Sequence, residues 1–486
     1  SMTNISRRKF IKKSGAGVAV ATITPLVITR VFSSAPESDI RVLIIGAGLA
    51  GLSCAYELKQ AGFDVILLEA RTRPGGRVRT YRDPFADGLY AEMGAEYVDS
   101  SDTYARKYCK KFGLEVLTAK LYDGIFVRGR RYSMKDFKDN KQTLPFEGAE
   151  PGKLFANERK YIEHWFEKIE DINDLPKEVL ELDKISVAQL LRKEKAPRDI
   201  VDLYTYTNAT ESTIRPDQAN ALGFVLGHYR ASGFNEDTDE GRILGGNDQL
   251  PKRFAQEVSD SIMYGKPVRR ISMGKKVVEV SFEDGGKIST ISSPRIVIAM
   301  PFSILRKVRI DNEFPADKMR CIRELQYGQV MKFAMQFKQR FWDKPGSLGQ
   351  RVFTDTPLRR VYHFSIDQPG PRGILLTFTS ADDARKLGKL SKDNRMKRAR
   401  EVVSGMWSEA ETYWENGTVK YWNEDPFMQG SYSTSGVGHS KDFKDIAGRQ
   451  EGIAHFAGEH TVAASMNGAI KSGVRASEEV KKAVGV

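Results

Sequence analysis

The chain has 486 residues, which at about 150 residues per domain predicts two to three domains. Hydrophobic residues make up 40% and charged residues 29%, a balance that excludes disorder as the main state. The net charge is +13, but six basic residues and no acid fall before residue 36, leaving 70 basic against 63 acidic residues. No basic stripe with interleaved aromatics marks a nucleic-acid partner. After Val31 no apolar run reaches the about 18 residues of a membrane-spanning helix. Cys54, Cys109 and Cys321 are too few for a disulfide framework and lack zinc spacing, so no metal site is expected.

The first segment, Ser6-Arg7-Arg8-Lys9-Phe10-Ile11-Lys12-Lys13, resembles a twin-arginine export signal. A weakly apolar stretch from Ala16 to Phe32 follows, and Ser33-Ser34-Ala35 offers small residues for cleavage after Ala35. The expectation is a folded protein handed to the twin-arginine translocon, with a periplasmic or extracellular destination.

Ile40-Arg41-Val42-Leu43-Ile44-Ile45 reads as a buried parallel strand. Gly46-Ala47-Gly48-Leu49-Ala50-Gly51 follows at once, then a helical pattern from Leu52 to about Ala61. A second strand, Asp64-Val65-Ile66-Leu67-Leu68, ends at Glu69, 23 residues after Gly46. Gly46 allows the tight turn, Gly48 lets backbone approach a pyrophosphate, and Gly51 lets helix and strand pack closely. The helix N-terminus offers N–H groups and a positive dipole end to phosphate. Glu69 is placed to accept ribose hydroxyls, which disfavours a 2′-phosphate.

Arg71-Thr72-Arg73-Pro74-Gly75-Gly76-Arg77-Val78-Arg79-Thr80 follows this unit and resembles a segment of the flavin-containing amine oxidase family. Gly94-Ala95-Glu96-Tyr97-Val98 is similar to that family's loop beside the flavin ring. Residues 103–205 are charge-rich with helical spacing, Tyr161, Trp165, Phe166 and Ile169 sharing one face. Gly245-Gly246-Asn247-Asp248-Gln249-Leu250 resembles a further family segment, and Val268 its adenine-side contact. Val277–Phe282 and Phe333–Phe337 alternate like strands, and 296–301 resembles the strand returning to the cofactor domain. Phe456-Ala457-Gly458-Glu459-His460-Thr461 resembles the signature near ribityl and pyrophosphate, and Met466 opens a closing helix whose free N–H groups would face the flavin.

The resemblance implies an α/β fold, a Rossmann-type FAD-binding domain interleaved with a substrate domain of mixed sheet and helices. The expected boundaries are 1–35 for the signal; 36–100, 243–302 and 425–486 for the FAD domain; and 101–242 and 303–424 for the substrate domain. The implied cofactor is FAD, held by Gly46, Ala47, Gly48, Gly51, Glu69, Ala70, Arg71, Gly76, Arg77, Gly94, Ala95, Glu96, Val268, Gly458, Glu459 and Met466. Covalent members carry a cysteine before the cage tyrosine; here it is Ser431, so non-covalent FAD is expected.

The implied reaction is hydride transfer from an amine-bearing carbon to flavin, giving an imine that water hydrolyses. Lys332, in Tyr327-Gly328-Gln329-Val330-Met331-Lys332-Phe333, resembles the family lysine that holds a water against the reactive ring nitrogen. Trp422 and Tyr432 match pocket aromatics, while the second cage aromatic falls at Ser465. The six histidines form no triad; His228 and His363 are weak candidates for pocket polarity. Tyr97 stands where snake-venom-like L-amino acid oxidases carry a carboxylate-clamping arginine, which favours a primary amine. The L-amino acid alternative stays open, because 458–461 and 470–473 look closer to that branch and Arg359, Arg360 and Tyr362 could bind a carboxylate. Glu96 could attract a second cationic group, but a backbone-facing flavin contact is the favoured reading. The acceptor is dioxygen, giving hydrogen peroxide, or a periplasmic redox protein. Desaturation of a C–C bond and a non-catalytic FAD-binding protein are weaker alternatives. A homodimer is left open.

Overall fold

Arg41–Ile45 is a run of mostly β-branched side chains, and the chain turns it into the middle strand of a parallel sheet. A computed structural model describes residues 41–118, 120–233 and 240–486. The expected export signal and Ile40 lie outside the described residues. Asp64–Leu68 and Ile296–Ile298 flank the first strand in parallel, with Leu43 opposite both Ile66 and Ile296. Ile262–Met263 and Ala454–Phe456 close the sheet at its two edges. Val42, Leu43 and Ile44 have no solvent exposure, as strands covered on both faces require.

The first helix is Leu49–Gln60, starting three residues before the expected Leu52. The glycine fingerprint itself supplies its first turn, with Gly48 as N-cap. The closing helix, Met466–Val484, lies against it. Ser53 Oγ donates to the carbonyls of Ala50 at 3.1 Å and Ile470 at 3.2 Å, so the two helices share one hydroxyl. Their approach is set by Gly473: a Cβ there would sit 2.1 Å from both the Ala50 carbonyl oxygen and Ser53 Oγ.

Val268–Met273, Val278–Asp284 and Lys287–Ser293 form an antiparallel meander, which Arg309–Asp311 joins in parallel. The expected strand at 277–282 falls within this sheet, beginning one residue later. A third sheet has eight strands. Its strand Val330–Phe337 is buried at every position and includes the expected 333–337. Gly373–Thr377 and Trp414–Tyr421 pair with it antiparallel, and Arg360–His363 comes next to Gly373–Thr377. No helix among the described residues is long and apolar enough to cross a membrane.

Residues 103–205 depart from uniform helical spacing. They include the strands Val116–Thr118, Asp123–Val127 and Arg130–Ser133. Asp123–Val127 forms a hairpin with Arg130–Ser133 and pairs on its other edge with Arg351–Thr354, more than 200 positions away. The Tyr161–Ile169 stretch is built of short 3₁₀ turns. Trp165 and Ile169 are buried together with Ile162, whereas Tyr161 and Phe166 are only half-buried.

Gly473→Ala is expected to force the two helices apart. Overpacking of this kind costs about 1–3 kcal/mol. Urea unfolding should show a lower midpoint for the variant, and an unchanged midpoint would refute the tight crossing.

Candidate functional site

One cavity runs along the C-terminal ends of the parallel strands and reaches the eight-stranded sheet. Its first part is built by the glycine fingerprint. Gly46 has φ +103°, a left-handed value that favours glycine. A Cβ on Gly51 would lie 1.9 Å from the Gly46 carbonyl oxygen, so only glycine lets the helix start so close to the strand. A Cβ on Gly48 would meet no atom within 4 Å, so its backbone lies open to the cavity. Gly48 brings no capping side chain, and the first-turn N–H groups stay available to phosphate.

Glu69 is buried where the second strand ends. The backbone N–H groups of Ala47 and Arg71 donate to its two carboxylate oxygens at 2.7 and 2.8 Å. Burial raises its pKa, and these two bonds oppose the shift. Each oxygen retains a lone pair for a ribose hydroxyl. Arg77 Nη1 donates to Glu459 at 2.7 Å and to the Ser431 carbonyl at 2.6 Å. Burial would raise the Glu459 pKa, but Arg77 holds it below its ordinary value. The open glycine backbone, the uncapped helix start and the fixed Glu69 fit FAD.

Most expected cofactor contacts line this cavity: Gly46, Gly48, Glu69, Ala70, Gly76, Arg77, Gly94, Ala95, Glu96, Val268, Gly458, Glu459 and Met466. Three do not. Ala47 is fully buried and acts through the N–H that fixes Glu69. Gly51 acts through packing. Arg71 turns its guanidinium to Asp425 and over the Phe427 ring, because Asp425 is a buried carboxylate that needs cations. The closing helix is also less open than expected. Ser465 caps it by accepting from Gly468 N at 2.9 Å, which occupies one of the N–H groups assigned to the flavin.

The second part of the cavity centres on Lys332, which is 2% exposed. Its ammonium donates to the carbonyls of Glu92 at 3.1 Å and Gly94 at 3.0 Å, and to Glu96 Oε2 at 3.0 Å. An ammonium has three protons, and all three are committed to the chain. The expected water-holding role therefore needs one of these bonds to open; as placed, Lys332 fixes the 92–96 loop. Tyr362 also donates to Glu96 Oε2, at 2.5 Å. Burial would raise the Glu96 pKa, but Lys332, Arg242 and the Tyr362 hydroxyl hold it below the ordinary value. Glu96 Oε2 is thus compensated inside the chain, while its buried Oε1 has no partner among the described residues.

Tyr97, Trp422 and Tyr432 line the same part of the cavity. Trp422 Nε1 donates to the Met93 carbonyl at 2.7 Å, and the Tyr432 hydroxyl donates to the Glu211 carbonyl. Burial pushes the Tyr97 and Tyr432 phenols above their usual pKa. Ser465 lines the cavity without an aromatic ring, as its sequence position implied. His228 and His363 do not line it; they sit beside Glu158 at 3.1 Å and Asp343 at 3.3 Å. Of the three carboxylate candidates, Arg360 lines the cavity, Tyr362 is tied to Glu96, and Arg359 pairs with Asp383 at 2.5 Å away from it. Asp99 and Asp102, just beyond the 94–98 loop, and Glu211 and Phe378, from segments distant in sequence, also line it, unforeseen.

The chain matches the family described as flavin containing amine oxidoreductase over residues 49–481. A Bacillus subtilis (strain 168) protein named "Putative L-amino-acid oxidase YobN" is 29% identical over 467 residues, covering 92% of this chain and 96% of its own. A wild-type putrescine oxidase solved bound to putrescine superposes with a TM-score of 0.76 at 20% identity, covering 92% of this chain and 100% of that one. Cyclohexylamine oxidase from Brevibacterium oxydans IH-35A gives 0.78 at 18% identity, with coverage of 92% and 100%.

Behind the loop, Glu92 is fully buried and accepts from Thr80 Oγ1 at 2.8 Å and Asn247 N at 2.7 Å. Burial raises its pKa from 4.5 to about 7, against those two bonds. Between these values the folded chain holds a proton that the unfolded chain has lost, so stability falls as pH rises through the window. At about 1.4 kcal/mol per pKa unit, Glu92→Gln should remove a slope amounting to a few kcal/mol. Denaturant unfolding of both proteins between pH 4.5 and 7 checks this. A pH-independent difference between them would contradict the assignment.

Proposed function

This chain belongs to the family of flavin containing amine oxidoreductases, and within it we propose an exported oxidase acting on the CH–NH₂ group of a small substrate, with FAD held non-covalently. The observation that carries the reading is the continuity of one cavity. A dinucleotide cradle at Gly46, Gly48 and Glu69 opens onto the Lys332–Glu96 pair and the walls Tyr97, Trp422 and Tyr432.

Bound FAD supplies the acceptor for the hydride and its electron pair. The chain's part is binding and orientation. Tyr97 and Tyr432 offer aromatic faces to an ammonium or an apolar side chain. Trp422 fixes the loop through Met93. The amine carbon gives up a hydride and the nitrogen a proton, leaving an imine. Water then converts the imine to a carbonyl compound and ammonia. Dioxygen takes two electrons and two protons and leaves as hydrogen peroxide. The proteins named for putrescine, cyclohexylamine and L-amino acids share a substrate with nitrogen on a carbon that bears hydrogen.

Ser431 precedes Tyr432 and offers no thiol for a bond to the cofactor. Arg7-Arg8 and the apolar stretch behind them support export with FAD already bound.

The purified holoprotein is to be mixed anaerobically with separate pools of primary amines and L-amino acids. Bleaching of the visible flavin absorbance is expected with at least one pool, with recovery and peroxide in air. Acid precipitation should leave the colour in the supernatant. No bleaching by any pool defeats the proposed activity, and bleaching followed by slow recovery in air would point to a protein acceptor. For export, the full chain should fractionate to the periplasm, and Arg7→Lys with Arg8→Lys should retain it in the cytoplasm. Equal periplasmic recovery of that variant would refute the signal.

A further inference from the structure

Four basic side chains line the cavity, and three have partners that hold them in place. Arg77 pairs with Glu459, which is buried. Lys332 pairs with Glu96, also buried. Lys266 pairs with Asp284 at 2.6 Å, outside the cavity lining. Arg360 is the exception. It is 6% exposed, at the start of the strand Arg360–His363.

Its guanidinium lies against the rings of Tyr362 and Phe378, each 5.2 Å from the centroid. Lys332 Nζ sits 5.8 Å from the same Phe378 ring. A guanidinium has five N–H donors. Among the described residues, Arg360 makes one side-chain hydrogen bond, Nη1 to Glu211 Oε1 at 2.6 Å. Its Nε is buried and has no partner. Leaving a buried donor unmet is costly, so a cation placed this way lacks an acceptor.

The partner it does have is loosely held. The Glu211 side chain is 58% exposed, just past the short 3₁₀ turn Asn208–Thr210. An exposed carboxylate gains little from such a pair and is readily exchanged. The arginine is fixed by packing, whereas the acid is not. Glu211 therefore stands where another carboxylate could stand. A planar carboxylate matches the guanidinium's fork better than any other small anion of metabolism short of phosphate.

We propose that Arg360 binds the substrate's α-carboxylate in exchange for Glu211, so that the substrate class is an α-amino acid rather than a bare amine. Tyr97 at the loop position therefore does not leave the cavity without a cation for a carboxylate. The geometry brings that cation from a different strand, across Phe378 from Lys332. This inference rests on the proposed amine oxidation for its chemistry but not for its binding step.

The test separates the two. Isothermal titration with 3-phenylpropanoate, a carboxylate without an amine, reads the site without turnover. The FAD-loaded wild type should bind it, and Arg360→Met should bind it about 50-fold more weakly, the range for a lost charged hydrogen bond. Arg360→Lys should recover part of the affinity, and Glu211→Gln should bind more tightly than wild type. In turnover, kcat/KM is compared for L-phenylalanine against 2-phenylethylamine and for L-leucine against 3-methylbutylamine. The amino acid should be preferred in each pair, and Arg360→Met should collapse that ratio. Because a ratio is read, partial misfolding of the variant does not mimic the result. Wild type that fails to bind the propanoate, or Arg360→Met that binds it equally well, overturns the proposal. So does a wild type that prefers the amines. Arg360-dependent binding with no flavin bleaching by any pool would instead defeat the proposed oxidation and leave the carboxylate site standing.

Discussion

The buried pair of Lys332 and Glu96 joins the two halves of this molecule. Lys332 comes from the strand Val330–Phe337 of the eight-stranded sheet, and Glu96 from the loop after the short strand Ala91–Glu92. Breaking a buried pair leaves an uncompensated charge and costs about 3–5 kcal/mol. The ammonium also takes the carbonyls of Glu92 and Gly94, so the pair sets the shape of the loop as well as its charge. Other elements brace the same loop. Asn247 donates to the Ala95 and Glu96 carbonyls, Trp422 to Met93, and Tyr362 to Glu96. Residues from four distant parts of the chain thus converge on one short stretch beside the cavity.

That convergence explains the electrostatics. A closed cavity cannot carry several unpaired charges at low dielectric. Arg77 and Lys332 meet this condition with buried acids, Glu459 and Glu96. Arg71 meets it by leaving the cavity for Asp425. Among the described basic side chains that line the cavity, only Arg360 pairs with a mostly exposed acid, and that asymmetry makes it the cation with room for a ligand.

The dinucleotide half rests on local sterics. Gly51 must be glycine because the Gly46 carbonyl occupies the space a side chain would need, and Gly473 because the closing helix crosses at Ser53. These contacts bring Met466 and Ala469 to the cavity wall, beside the fingerprint they close.

The sequence by itself determined three of the parallel strands, the fingerprint helix, Glu69 and the family. Each depends on short spacing: a run of β-branched residues, three glycines within six positions, an acid at the next strand's end. It also pointed, through motifs of a few residues, to Lys332, Tyr97, Trp422 and Tyr432, which line the cavity. Only the tertiary structure decided where the charges go. Glu96 and Lys332 stand 236 positions apart, and no spacing rule tells a free ammonium from one with three acceptors. Likewise Arg359 and Arg360 are adjacent and chemically alike in sequence, yet one pairs with Asp383 and the other lines the cavity. Partner choice is a long-range contact set by how sheets and loops stack, and that stacking is what a one-dimensional pattern does not contain.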